Sequence, residues 1–182
     1  MKILLLGIGN VLFGDEGVGV HLATLMITNY RYDGPHQVDI LDGGTLAHHL
    51  IPTIAAYDHV VILDTVDVAN SAVGEVYFFD YAVIPDAIRW QGSAHEVEML
   101  HTLTMMDMAG DRPTTFILGV VPEVIAETSF VMTPAVLHGA AVMEKKLLAH
   151  LHGLGVQTTR IAEKTLTELA QKSCQPSLET SR

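Results

Sequence analysis

Short apolar runs alternate with amphipathic stretches along the chain, and this alternation predicts strands connected by helices. Five segments have the pattern of strands, namely KILLLG (2–7), QVDILD (37–42), HVVILD (59–64), GEVYFFD (74–80) and TTFILGVV (114–121). The first, third and fifth are almost continuously apolar, which is typical of strands covered on both faces of a sheet. The pattern predicts an α/β fold: a three-layer sandwich in which helices flank both faces of a five-stranded sheet.

The intervening segments have apolar residues at helical spacing. Helices are predicted at 18–29, 45–57, 96–109 and 134–152. Pro52 must kink or interrupt the second of these. Thr133-Pro134 has the pattern of a capping residue followed by a first-turn proline, which indicates where the fourth begins.

The link between the third and fourth strands, TVDVANSAV (65–73), is short. A crossover between parallel strands needs about a dozen residues or more, whereas antiparallel strands accept a short link. We therefore expect a mixed sheet that is mostly parallel, with an antiparallel fourth strand.

The chain length of 182 residues suits one full-sized hydrophobic core. We predict a single domain over 1–155, followed by a C-terminal extension over 156–182. Within the extension, apolar spacing over 158–172 predicts an amphipathic helix, and the polar last ten residues are predicted to be disordered.

The composition excludes several classes of protein. The formal net charge of −11, from 21 Asp and Glu against 10 Lys and Arg, argues against nucleic-acid binding. No apolar stretch reaches the length of about 20 residues that a membrane span needs. The single cysteine, Cys174, cannot form an internal disulfide, and its isolation fits a reducing, cytoplasmic setting.

Acidic residues lie at the ends of the first three predicted strands: Glu16 follows the first, Asp42 ends the second and Asp64 ends the third. Ligands of open α/β sheets bind outside the carboxyl ends of the strands, so these carboxylates are candidate site residues. His95 precedes a predicted helix, whereas His48 and His49 have the pattern of solvated helix histidines. Glu16, Asp64 and His95 form a donor set suited to nickel or zinc. Without a metal, the same residues would suit acid–base chemistry, and spacing alone does not choose between the two.

The glycine-rich turn GIGNVLFGDEGVG (7–19) has only part of a dinucleotide-binding motif. The third glycine of that motif should stand at residue 12, but this residue is Leu12. The start of the following helix would attract an anion such as a phosphate, but the negatively charged Asp15 and Glu16 stand there. A nucleotide or flavin protein is therefore disfavoured, and the acids indicate a cation, a proton or a peptide instead.

Several motifs of the chain occur in an order that resembles one known family. They are the turn above, DGGT (42–45), Asp64, His95 of SAHE and LGVVPE (118–123). The sequence is similar to the nickel–iron hydrogenase maturation endopeptidases over residues 1 to about 155. The resemblance implies an enzyme that removes the C-terminal extension of the hydrogenase large-subunit precursor after nickel has been inserted.

The resemblance also implies roles for individual residues. Glu16, Asp64 and His95 correspond to the family's nickel-binding positions, with the nickel supplied by the precursor. Asp42 is the candidate for activating water. The family is grouped with aspartic-type peptidases, although the chain contains no D-T-G or D-S-G motif. We expect a cytoplasmic monomer whose partner is the large-subunit precursor.

A different class of function remains open at the level of sequence. Because no standard protease motif is present, the same residues would also suit a non-catalytic chaperone or scaffold that senses nickel in the hydrogenase precursor. Glu16, Asp64 and His95 would then recognise the metal, and no peptide bond would be cut.

Overall fold

The structure is a computed structural model that describes residues 1–45, 47–85, 88–89, 94–123 and 128–173. The strands are β1 (Lys2–Ile8), β2 (Tyr30–Asp33), β3 (Gln37–Gly44), β4 (His59–Thr65), β5 (Asp67–Val68), β6 (Val76–Asp80), β7 (Ile88–Arg89), β8 (Thr114–Val120) and β9 (Gln157–Arg160). The helices are α1 (Val18–Asn29), α2 (Ile51–Ile54), α3 (Ala94–Ala109), α4 (Pro134–Gly153) and α5 (Leu166–Ser173).

A five-stranded sheet in the order β3-β1-β4-β8-β6 forms the centre of the molecule. Strand β1 pairs in parallel with β3 and β4, and β4 pairs in parallel with β8. Strand β6 is antiparallel to β8, which confirms the orientation predicted from the short link before it. The carboxyl ends of β1, β3, β4 and β8 therefore meet along one edge of the sheet.

Hydrophobic layers cover both faces of the sheet, as the three-layer prediction requires. Ile3 and Leu5 of β1 pack with α1, α4 and α5 on one face. Leu4 and Leu6 point to the other face, where they pack with residues of α2 and α3. Because successive side chains of a strand alternate between faces, a continuously apolar strand fills both layers.

The helix predicted over 45–57, with a kink or interruption at Pro52, is present only in part. The structure has a 3₁₀ turn at Ala47–Leu50 followed by the short helix α2. Pro52 lies in the first turn of α2, where a proline displaces no intrahelical hydrogen bond. Thr133 was predicted correctly as a cap, because its hydroxyl oxygen accepts a hydrogen bond from the backbone N–H of Val136.

The C-terminal segment differs from the predicted helix over 158–172. Strand β9 pairs antiparallel with β2, and helix α5 begins only at Leu166. Leu166, Leu169 and Ala170 are buried in the hydrophobic layer that also contains α1 and α4. The predicted disordered end comprises residues 173–182; Ser173 is instead the last residue of α5, and residues 174–182 lie outside the described residues.

Within the described ranges, no helix has both the length and the apolar character that a bilayer crossing demands.

Candidate functional site

The loop between β1 and α1 is folded tightly onto itself at the carboxyl-end edge of the sheet. The N–H of Asn10 donates to the carbonyl oxygen of Glu16 at 3.1 Å, and the side-chain oxygen of Asn10 accepts from the N–H of Leu12 at 3.1 Å. Gly9 has a φ of +144°, and a Cβ at this position would lie 1.9 Å from the carbonyl oxygen of Glu16. Only glycine fits there, so the glycines of the turn shape a compact loop.

The beginning of α1 lies directly on the ends of β1 and β4. A Cβ at Gly19 would lie 2.1 Å from the carbonyl oxygen of Leu63 and 2.3 Å from that of Ile8. The 3₁₀ turn Gly14–Gly17, which precedes α1, also contacts β4. This close approach brings the turn that carries Glu16 to the end of the strand that carries Asp64.

Glu16 and Asp64 differ in exposure. Asp64 is 4% exposed, and its Oδ1 accepts a hydrogen bond from the N–H of Thr65 at 2.7 Å. Glu16 is half-buried in the 3₁₀ turn. Carboxylate oxygens of neighbouring segments at one sheet edge provide donor chemistry that suits a divalent cation.

His95 lies in the first turn of α3 by its backbone, one residue after the helix begins. Its side chain lies outside the described residues, as does the loop segment 90–93 before it. Among the side chains that the structure describes, no group of three His, Cys, Asp or Glu residues forms a metal site. The three-residue ligand set of Glu16, Asp64 and His95 therefore stays a prediction.

Asp15, the neighbour of Glu16, has a structural role that the sequence did not indicate. Its side chain is fully buried, and its carboxylate accepts hydrogen bonds from the N–H of Glu123 at 3.0 Å and from the N–H of Thr133 at 2.6 Å. The hydroxyl of Thr133 donates to the same carboxylate at 2.9 Å. Of the two consecutive acids, Asp15 ties the loop to the beginning of α4, and Glu16 is left at the sheet edge.

Asp42 lies at the end of β3, beside a cleft of about 360 Å³ lined by Asn10, Leu12, Val20 and Thr45. Asp42 is exposed, and its Oδ1 accepts a hydrogen bond from the N–H of Gly44 at 2.9 Å. This contact closes an Asx turn, so one carboxylate oxygen has a role in the backbone geometry.

His21 of α1 is electrostatically coupled to Asp42. It is 3% exposed, and its Nδ1 has no hydrogen-bond partner among the described residues. Burial lowers the pKa of His21, and the charge of Asp42 acts in the opposite direction. His21 is therefore neutral near pH 7.

The structure also joins two residues that the sequence did not connect. Oε1 of Glu98 on α3 accepts hydrogen bonds from the backbone N–H of His48 at 3.2 Å and from its ring Nδ1 at 2.5 Å. Burial opposes ionisation of Glu98, but the hydrogen bonds from His48 and the charges of His48 and His49 outweigh it and lower its pKa. His48 is exposed, as predicted, but it also has a partner that the sequence did not indicate. The partners are 50 residues apart, so no local spacing reveals them.

Comparisons with known proteins agree with this architecture. A family model described as "Hydrogenase maturation protease" (HycI) matches residues 20–150, which is more than half of the chain. Protein HydD of Wolinella succinogenes is 52% identical over 155 residues, covering 85% of this chain and 98% of HydD. The hydrogenase 2 maturation protease of Escherichia coli is 32% identical over 158 residues, with 86% of this chain and 94% of that protein covered.

Solved structures give the same result for the fold. The hydrogenase maturating endopeptidase HybD from Escherichia coli superposes with a TM-score of 0.77 at 29% identity, covering 88% of this chain and 98% of HybD. Both chains are covered almost in full, so the similarity is not limited to one motif. The chain therefore belongs to the hydrogenase maturation protease family.

Proposed function

We propose that this protein is the endopeptidase that removes the C-terminal extension from a nickel–iron hydrogenase large-subunit precursor after nickel insertion. Membership of the hydrogenase maturation protease family makes the protein a peptidase. The observation that carries the finer proposal is the approach of the turn bearing Glu16 to the end of β4, which bears Asp64. This approach brings two carboxylate-bearing segments together at the carboxyl-end edge, where α/β sheets bind ligands.

Nickel in this proposal is part of the substrate. Glu16 and Asp64 supply oxygen donors, and His95 is predicted to add a nitrogen donor from the first turn of α3. Such a set is a weak, open site compared with cysteine-rich sites. The ion held by the precursor's cysteines would find its remaining ligands in these side chains. The enzyme would then recognise only a precursor that already carries metal, and the metal would hold the scissile segment in place.

The cleft beside Asp42 supports a place for that segment. It opens next to the loop that carries Glu16, and its walls combine apolar side chains with the Asp42 carboxylate. Asp42 is the predicted water-activating acid, in keeping with the aspartic-type grouping of the family. We place the reaction in the cytoplasm, with a monomeric enzyme acting on the precursor.

A non-catalytic nickel-sensing chaperone or scaffold is the second candidate. The observation that favours it is the hydrogen bond between Asp42 and the N–H of Gly44, because a carboxylate that shapes a turn need not activate water. The variant Asp42→Asn tests which of these two roles the Asp42 carboxylate has. If Asp42 handles water, this variant lowers turnover more than precursor binding. Equal loss of both assigns Asp42 to the turn.

The decisive experiment mixes metal-free protein with precursor prepared with or without nickel and follows the mass of the large subunit. We expect the nickel-loaded precursor to be shortened and the nickel-free precursor to remain intact. Efficient cleavage of the nickel-free precursor would contradict recognition through the metal, as would a requirement for nickel bound beforehand to the enzyme. An intact precursor that stays bound to the protein would favour the scaffold.

A further inference from the structure

The Glu98–His48 pair has the geometry of an oriented base. A carboxylate only accepts hydrogen bonds, so the 2.5 Å contact requires Nδ1 of His48 to carry the proton that it donates to Glu98. The neutral ring then has its lone pair on Nε2. This is the arrangement in which a carboxylate fixes the tautomer and direction of a catalytic or ligating imidazole.

Two contacts of Glu98 hold the carboxylate beside this ring. The hydrogen bonds from His48 contribute to a pKa of Glu98 below its ordinary value, so the carboxylate is charged. The second hydrogen bond, from the backbone N–H of His48, fixes the same oxygen relative to the 3₁₀ turn. The His48 side chain is 52% exposed, which leaves the ring accessible to a substrate.

The pair joins the turn that follows β3, the strand of Asp42, to α3, the helix of His95. His48 is in the turn Ala47–Leu50, six positions after Asp42 and just beyond the DGGT segment. Glu98 follows His95 by three positions on α3, so the two positions are one helical turn apart on the same side of the helix. The turn and α3 pack against each other.

We propose that His48, in place of Asp42, is the general base of the cleavage, with Glu98 as the residue that positions it. Asp42 then keeps its role in the turn before Gly44. This rests on the proposed function. A water molecule attacks the carbonyl carbon of the scissile peptide bond while Nε2 of His48 takes its proton. The imidazolium, stabilised by Glu98, gives that proton to the leaving nitrogen. The C–N bond breaks, one carboxyl and one amine terminus form, and His48 returns to its neutral form.

The test compares His48→Ala, Glu98→Gln and His101→Ala on nickel-loaded precursor, with single-turnover rates and precursor capture measured separately. His101 is an exposed histidine of the same helix and serves as the control. We expect His48→Ala to lower the cleavage rate about 10²- to 10⁴-fold, as for other general bases, with capture unchanged. Added imidazole should restore part of this rate, because the exposed position leaves room for it. Glu98→Gln should lower the rate less, and His101→Ala should cleave at the wild-type rate.

Two results would overturn the proposal. One is a wild-type rate for His48→Ala. The other is a loss of rate and capture in equal proportion without rescue by imidazole, which would make the pair a structural lock between α3 and the turn. The wild-type protein is measured first. If it leaves the nickel-loaded precursor intact, the proposed function itself fails, and this failure is distinguished from a failure of the His48 proposal.

Discussion

The carboxylate of Asp15 accepts hydrogen bonds from both the backbone N–H and the hydroxyl of Thr133, a residue 118 positions later in the chain. Thr133 in turn caps α4 by accepting a hydrogen bond from the N–H of Val136. The buried Asp15 side chain thereby joins the loop after β1 to α4, which covers the same face of the sheet as α1. The loop that carries Glu16 is held in place by this contact.

Asp15→Ala is expected to lower the free energy of unfolding by roughly 2–4 kcal/mol. Hydrogen bonds to a charged group contribute about 1.5–3 kcal/mol each, and the substitution leaves donors of Glu123 and Thr133 without their acceptor. Urea unfolding followed by circular dichroism measures the change. Asp15→Asn keeps an acceptor and should lose less. A wild-type midpoint for Asp15→Ala would show that the three contacts add nothing to stability.

Glu16→Gln and Asp64→Asn should each lower precursor cleavage by more than about 100-fold. Substituting a residue that only holds a metal ligand in place typically lowers metal affinity or activity about 10- to 100-fold. The two substitutions here remove the charge of a predicted ligand itself. Both replacements keep the shape of the side chain, which matters for the buried Asp64. Cleavage is read from the mass of the large subunit, and thermal unfolding shows that the fold is intact. His95→Ala is expected to have the same effect. Any of these variants that cleaves normally removes its residue from the site.

Gly19→Ala should destabilise the protein by about 1–3 kcal/mol, the usual cost of overpacking. The added methyl group would meet two backbone carbonyl oxygens, those of Leu63 and Ile8, and backbone cannot rotate away as a side chain can. Gly153→Ala is the matched control, because a Cβ there meets no atom within 4 Å. The control should change stability by less than about 1 kcal/mol. Equal effects of the two substitutions would mean that α1 does not need its close approach to the sheet.

Stability should fall as the pH is lowered from about 6.5 towards 4, owing to a histidine pair on the opposite edge of the sheet. Nε2 of His59 lies 2.8 Å from Nε2 of His150, and both rings pack against Phe116. Burial and the charge of His59 lower the pKa of His150 from 6.5 to about 4. Burial also lowers the pKa of His59, against the effect of Asp80.

The direction follows from proton binding. Below pH 6.5 the unfolded chain takes up protons that the folded protein resists, so unfolding becomes more favourable until the folded pKa is reached. Urea unfolding at several pH values between 7 and 4 measures the slope of the free energy of unfolding against pH. His150→Gln should flatten it, and His138→Gln, an exposed change on the same helix, should not. A slope unchanged by His150→Gln would contradict this origin.

The sequence by itself determined the sheet and most of its helices. Continuous apolar strands such as HVVILD need burial on both faces, and a nine-residue link cannot hold a parallel crossover, so the five strands and the antiparallel β6 follow from local patterns. The Thr133 cap is equally local. Residues near one another in the chain carry these signals.

Only the tertiary structure decided how neighbouring residues divide their roles. Asp15 and Glu16 are adjacent acids, yet one is buried against Thr133 and the other lies half-buried at the sheet edge. Likewise, His48 becomes an oriented imidazole only because α3 brings Glu98 beside it. Such contacts join segments far apart in sequence. Their partners are fixed by the packing of whole elements, which no local spacing encodes.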